Sequence, residues 1–423
     1  VLRLRKEILS ERAELFDPNI YVLMTFDIVG GADVQLLIEA AKRAFTRFES
    51  PMSKIVLTDT GRAYYERMLS SGCTVQSTQS DFNDLIRTLE RQRFAIENGE
   101  LVKVFFRQTS DKVRVLVMSH HLAGDGKSIV YFIERMMKEY IGEQGEYMPL
   151  KLLNEDNLPS DSHISRLYSL MINSYKPSWA KSGRVFDWDD MDKLHDTYWK
   201  DRESVILSKQ LSPECADKIH ANAKAANVSV NSWILTAFMK ANRRYKNVGL
   251  SVDARTDKNR TMSNQTTGFT TRFTYNDRLN FAQNARRLHL RIYKKLNNPT
   301  SRYFILHFVQ LFTPPFIDSI LMNVNGVFDN KISKKAAIMM GYGPFRRNGL
   351  SVSNLTKLDI ADAYGNLRIE NFSFVPPVIS YTYQTFGIAT TSSGMTITFH
   401  SMNDRFNDGE RQMFFDAISI LEK

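Results

Sequence analysis

The chain has 423 residues, more than the roughly 250–300 at which one hydrophobic core usually divides, so two domains are the starting expectation. Its 43% apolar and 24% charged residues form an ordinary globular balance that excludes a disordered or fibrous chain. The net charge of +10 suits an anionic partner such as a nucleotide-bearing cofactor or an acidic carrier protein. No glycine-rich phosphate loop or nucleic-acid motif accompanies it, so nucleic acid is not the expected partner.

Residues 1–15 are charged throughout and lack the apolar stretch of a signal peptide. Cys73 and Cys215 show neither metal-ligand spacing nor a disulfide framework. They read as two buried free thiols of a cytoplasmic protein. Ile20–Ile28 is rich in β-formers and predicts a strand. Asp33 then caps a helix with Leu37, Ala41, Ala44, Phe45 and Phe48 on one face. Leu101–Arg107 and Val113–Ser119 flank a polar turn and predict an antiparallel hairpin, the second strand apolar on both faces and therefore central. After Gly126 the period becomes 3.6, with Ile129, Phe132, Ile133, Met136, Met137 and Tyr140 on one stripe of a helix.

Residues 150–200 are polar and broken by prolines, and read as an irregular linker. It is drawn at 166–204, between an N-terminal lobe (1–165) and a C-terminal lobe (205–423). Val205–Leu211 predicts a strand, Ser212-Pro213 a helix start, Val230–Tyr245 an apolar helix, and Gly249–Val252 a buried strand ending at Asp253. Arg286, Arg287, Arg291, Lys294 and Lys295 read as the solvent face of one helix. Phe304–Val327 is apolar but holds His307, Asp318 and Pro314-Pro315, which argue for a broken, buried helix pair and against a membrane span. Val378–Phe399 alternates as two strands, and a closing helix buries Met413, Phe414, Ala417, Ile418 and Leu421. Sheets and helices are mixed in both halves, an α/β (α+β) layout.

Chemistry concentrates in His120-His121-Leu122-Ala123-Gly124-Asp125-Gly126, set between a central strand and a helix. Alternation sends the two imidazoles to opposite sides, one toward a cleft and one toward the core. Gly126 permits a close approach where the helix begins. An imidazole with a pKa near 6.5 suits a general base. No serine, cysteine or aspartate nucleophile is evidently paired with it, so the simplest chemistry has the base deprotonate an acceptor that attacks a bound acyl carbonyl. A metal site would need further ligands, and none stand nearby.

This string resembles the HHxxxDG motif of the acyltransferase superfamily that includes chloramphenicol acetyltransferase, alcohol acetyltransferases, wax ester synthases and the condensation domains of nonribosomal peptide synthetases. Val228–Ala241, Val252–Asp257, Thr267–Phe273 and Gly349–Asn354 resemble later segments of the same family, so the resemblance spans nearly the whole chain. It implies two chloramphenicol acetyltransferase-like lobes, each a mixed sheet with helices, and an active-site tunnel between them. His121 would be the base facing the tunnel, with His120 packed beneath the loop and Gly126 allowing the turn. Asp125 would point away and pair with Arg255, a structural bridge rather than a proton relay. Oxyanion or substrate contacts would come from backbone N–H groups around Gly124, from Ser353 and Asn354, or less directly from Gln384. Read without the family, Ser-Asn after a strand is a turn.

The Asp-Phe-Gly-Trp-Gly signature of the plant BAHD branch is absent, which points to a stand-alone condensation-like or alcohol-acetyltransferase-like member of secondary metabolism. The resemblance implies no permanently bound cofactor and no metal. Its co-substrate would be acyl-CoA or another phosphopantetheine thioester, and its acceptor a small alcohol or amine. Two alternatives stay open: an acyl or peptidyl carrier protein as donor in trans, and a non-catalytic member of the same fold.

Overall fold

The computed structural model describes residues 5–154, 158–255, 260–340, 349–380, 382 and 384–423. Thr256 and Asp257 of the Val252–Asp257 segment lie outside them. In chain order the strands are β1 (Arg5–Glu7), β2 (Tyr21–Val29), β3 (Ser53–Leu57), β4 (Ala63–Arg67), β5 (Thr74–Ser77), β6 (Val102–Gln108) and β7 (Lys112–His120). They continue as β8 (Ser204–Leu211), β9 (Asn247–Asp253), β10 (Thr266–Arg272), β11 (Gly349–Lys357), β12 (Arg368–Val375), β13 (Gln384–Thr391) and β14 (Gly394–Met402).

Two mixed sheets dominate, one five-stranded in the order β12-β2-β7-β6-β5 and one six-stranded in the order β10-β9-β11-β13-β14-β8. A small third sheet, β1-β4-β3, was not anticipated. The predicted hairpin forms as β6 and β7, and β7 is central as its two apolar faces required. Tyr21 lies opposite His120 in the β2–β7 register, so the motif begins where the middle of the sheet ends. Asp33 caps the helix Val34–Thr46, its side chain accepting the N–H groups of Gln35 and Leu36.

β12 joins the two large sheets. Although late in sequence, it pairs with β2 of the five-stranded sheet. Its Phe374 carbonyl accepts a 2.6 Å hydrogen bond from the hydroxyl of Thr398 in β14. One core surrounds the five-stranded sheet, and a second lies against the six-stranded sheet and the helices around it.

Several expectations need correction. The run read as an irregular linker contains the helices Arg166–Asn173, Lys176–Ser182 and Trp188–Trp199. The first two bury one residue each, Ile172 and Trp179, so no sustained apolar period marks them in the sequence. Trp179 stacks on Phe316 at 5.0 Å between ring centroids, which places this run on the first core. Residues between 304 and 340, together with β12, were assigned to the second lobe but pack into that same first core. The helix read as Val230–Tyr245 stops at Ala241. Cys73 and Cys215 are free, as expected, but only partly buried.

The apolar pair forms as Phe304–Gln310 and Pro314–Val324, bent by 106° at the break before Pro314. Among the described residues no single helix is long and apolar enough to cross a membrane. The basic cluster does line the helix Phe281–Leu296, with Arg286, Arg291 and Lys294 exposed.

Candidate active site

The motif turns the chain from β7 into the helix Gly126–Tyr140. A single 3₁₀ turn, His121–Ala123, separates them, and Gly124 closes it at φ +150°. A Cβ on Gly124 would stand 2.5 Å from that of Ser128, so the position needs glycine for both backbone and space. Gly124→Ala is expected to destabilise by about 1–3 kcal/mol, read as a lower urea midpoint at unchanged slope. At Gly126 a Cβ would come within 2.9 Å of Leu355 and 3.1 Å of the Phe374 ring, so this glycine brings the helix start against the joining strand.

Asp125 caps the helix and bridges the two sheets at once. Its Oδ1 accepts the Ser128 N–H at 3.0 Å, as an N-cap does. Arg255, just beyond the end of β9, donates Nη2 to Oδ1 and Nη1 to Oδ2, both at 2.9 Å. Oδ2 also accepts from the Gln265 N–H at 3.0 Å and the Thr266 hydroxyl at 3.1 Å. The side chains of Arg255 and Asp125 are 5% and 4% exposed. Burial alone raises a carboxyl's pKa, but the facing guanidinium and these donors outweigh it and hold Asp125 below its usual value. The carboxylate in turn pushes the Arg255 guanidinium upward against its own burial. The Ser128 hydroxyl lies in the same network, 2.9 Å from Arg255 Nη2 and 2.7 Å from the Ser263 carbonyl. Lys127 and Asp253 form a second ion pair at the same junction, at 2.7 Å.

The two imidazoles have different surroundings, and His121 stands on the 3₁₀ turn rather than on the strand. His120 is buried, its Nδ1 accepting the Leu122 N–H at 3.2 Å and its ring edge-on to Phe94. It shares a cavity of about 30 Å³ with Tyr21, Glu90 and His195. Burial, with His121 and Arg93 adding to it, pushes its pKa down to about 3, so it is neutral. The His121 side chain keeps 15% of its surface exposed, and the backbone N–H of His121 is tied to the Ile20 carbonyl at 2.9 Å. Its Nδ1 lies 3.6 Å from Oε2 of Glu14. Burial lowers this imidazole's pKa, but the Glu14 carboxylate more than compensates and raises it.

The structure brings His120, His121, Gly124, Asp125, Gly126 and Arg255 together. It does not hydrogen-bond Ser353, Asn354 or Gln384 to the motif. Ser353 and Asn354 lie within β11 rather than at its end, opposite Gly387 and Ile388. Asn354 bonds the Thr356 N–H at 2.7 Å and reaches Asn231 at 3.4 Å. Gln384 is buried and donates to the Tyr245 hydroxyl. The Gly124 N–H is already given to the His121 carbonyl at 3.1 Å, so it is not a free oxyanion donor. Among the described residues no three metal-ligating side chains gather.

Glu14, Asn264, Gln265, Thr266 and Ser128 complete the site and were not singled out from sequence. Ser128 alone had a local signal, standing three residues after a carboxylate at a helix start. The others reach the motif only through the packing of the N-terminal helix Arg12–Leu15 and the β9–β10 connection.

In sequence, neither a protein-family model nor a curated protein matches the chain. In structure it is similar over its full length to solved proteins. A trichothecene 15-O-acetyltransferase from Fusarium sporotrichioides aligns with TM-score 0.67 at 12% identity, covering 99% of this chain and 95% of the other. Polyketide synthase associated protein 5 from Mycobacterium tuberculosis aligns with TM-score 0.63 at 12% identity, over 99% and 97%. The first condensation domain of the calcium-dependent antibiotic synthetase aligns with TM-score 0.59 at 13% identity, over 98% and 94%. The sheets and their connections are thus held in common while nearly nine residues in ten differ.

Proposed function

We propose that this chain, which has the fold shared by condensation domains and the trichothecene acetyltransferase, is an acyltransferase that moves an acyl group from acyl-CoA to a hydroxyl or amine. The observation that carries this reading is the state of His121: a partly exposed imidazole on a turn locked across two sheets by Asp125 and Arg255. The neighbouring His120 is buried, neutral and already bonded to the backbone.

In this reading the thioester and the acceptor meet between the sheets. The neutral imidazole of His121 removes the acceptor proton as the acceptor oxygen or nitrogen attacks the thioester carbonyl. The tetrahedral adduct collapses, the carbon–sulfur bond breaks, and the departing thiolate takes the proton back from the imidazolium. Among the described residues no serine or cysteine side chain is hydrogen-bonded to His121, which supports direct transfer without an acyl-enzyme. Asp125 is saturated by donors and takes no part in proton movement.

The test is release of free thiol from a panel of acyl-CoA thioesters mixed with small alcohols and amines. Release that depends on the acceptor is the expected result. A folded protein that releases thiol from acyl carrier protein thioesters and not from acyl-CoA would move the donor to a carrier protein. Release from neither would overturn the enzymatic reading.

A further inference from the structure

The carboxylate of the motif is not available to the motif's imidazole, because Asp125 is occupied by Arg255, Ser128, Gln265 and Thr266. The titratable and charged groups that act on His121 are Glu14 on the N-terminal helix and Asp125 and His120 on its own turn, with Arg255 beyond Asp125. Of these, Glu14 makes the approach, Oε2 to Nδ1 at 3.6 Å, and both atoms are buried.

Glu14 is also held. Its Oε1 accepts from the side-chain amide of Asn264, whose own Oδ1 accepts the Thr266 N–H at 3.1 Å. The short helix that carries it is pinned by Arg12 to Asp318, an ion pair whose side chains are 1% and 0% exposed.

The second carboxyl of that helix fixes a proton count. The Tyr65 hydroxyl lies 2.8 Å from Glu11 Oε2 and 2.8 Å from the Leu122 carbonyl oxygen. It has one proton for two acceptors. The contacts are both satisfied when Glu11 is a carboxylic acid that donates to the tyrosine oxygen, leaving the tyrosine proton for Leu122 in the motif loop.

We propose that Glu14 is the positioning residue of His121, taking the Nδ1 hydrogen bond so that Nε2 is the basic nitrogen, and that Glu11 beside it is held as a neutral acid. The proposal rests on His121 as the base. As the acceptor proton arrives at Nε2, the imidazolium keeps its Nδ1 proton and the Glu14 carboxylate stabilises the cation; no proton passes to Glu14. Two pKa directions agree with the geometry. Burial and the charge of Glu14 push Glu11 well above the usual carboxylate range. His121 is raised against its own burial, with Glu14 the largest raising influence.

The experiment is an NMR titration of the imidazole resonances of the full chain without substrate, with His121 assigned by its loss in His121→Gln. In Glu14→Gln the His121 titration is expected to move to lower pH, and its neutral form is expected to lose the Nδ1–H preference. In Glu11→Gln the titration is expected to stay in place, because a neutral group replaces a neutral group. Should Glu14→Gln fail to fold, Asn264→Ala releases Glu14 Oε1 and is expected to give a smaller shift in the same direction. An unchanged titration in Glu14→Gln, or in Asn264→Ala where that variant is used, overturns the positioning role. A drop in Glu11→Gln as large as that in Glu14→Gln overturns the neutral-acid assignment. No turnover is needed, so a failure here is distinguishable from a failure of the acyltransferase reading. Where turnover is seen, Glu14→Gln is expected to lower kcat with KM unchanged and to carry the acidic limb of the pH profile to lower pH.

Discussion

Replacing His121 with alanine is expected to lower acyl transfer by about 10²–10⁴-fold, the range over which a positioned general base acts. The melting temperature is expected to stay close to that of the parent protein. The side chain's approach to Glu14 is long, at 3.6 Å, and the ring is partly exposed. The turn is held instead by its backbone bond to Ile20 and by Asp125. Glu14 keeps its Asn264 donor when the imidazole is removed. Thiol release and a thermal melt on one preparation read both quantities. Full activity in a folded His121→Ala protein would remove the base from the mechanism. Inactivity with a collapsed melting temperature would assign His121 to the fold instead. His120→Ala is the contrasting change, because that ring is buried against Phe94 and bonded to the Leu122 N–H. It is expected to cost stability first.

Arg255→Ala is expected to destabilise by about 3–5 kcal/mol, because it leaves the Asp125 carboxylate buried without its cation. Asp125→Ala is also expected to destabilise, since it removes the helix cap and leaves the buried guanidinium with the more exposed Asp253, 3.1 Å from Nη1, in place of its buried carboxylate. The two losses are not independent. A double-mutant cycle is expected to show strong coupling, with the double variant far more stable than the sum of the two losses would allow. The sign of the pH dependence follows from the lowered pKa of Asp125. The unfolded carboxyl titrates near 3.9, so the stabilisation is fully present above that value. It is lost only as pH falls through the lower folded pKa. The parent keeps its share of the stabilisation down to acid pH, whereas in Arg255→Ala burial raises the Asp125 pKa with no cation to oppose it; the stability gap is therefore expected to be widest at neutral to mildly alkaline pH and to narrow as pH falls and the variant's carboxyl takes up a proton. Denaturant midpoints across that range measure it. A gap that is absent at neutral pH would mean that the bridge does not hold the sheets. Because the pair joins the motif turn to the end of β9, activity is expected to fall with stability.

The sequence by itself determined the local pieces. The alternation of β2 and β7, the capped helix after Asp33 and the helix after Gly126 are set by patterns a few residues long. A backbone repeat of two or 3.6 residues writes them directly into neighbouring side chains. The pairing of Asp125 with Arg255 was legible only because the motif resembles a family in which both ends are known; no spacing within this chain links them. Tertiary structure decided the rest. Whether residues 166–199 form helices depended on a few anchors such as Trp179 meeting Phe316, a contact with no period to reveal it. The placement of β12 in the five-stranded sheet, and of Ser353 and Asn354 inside β11, followed from strand pairings between distant segments. Glu14 is one carboxylate among 46 acidic residues until the fold lays its short helix against the motif and gives it Asn264, 250 positions away, as a partner. Side-chain patterns report which face of an element is buried, whereas the partners that a buried group meets are chosen by packing between elements, and that choice set the surroundings of His121.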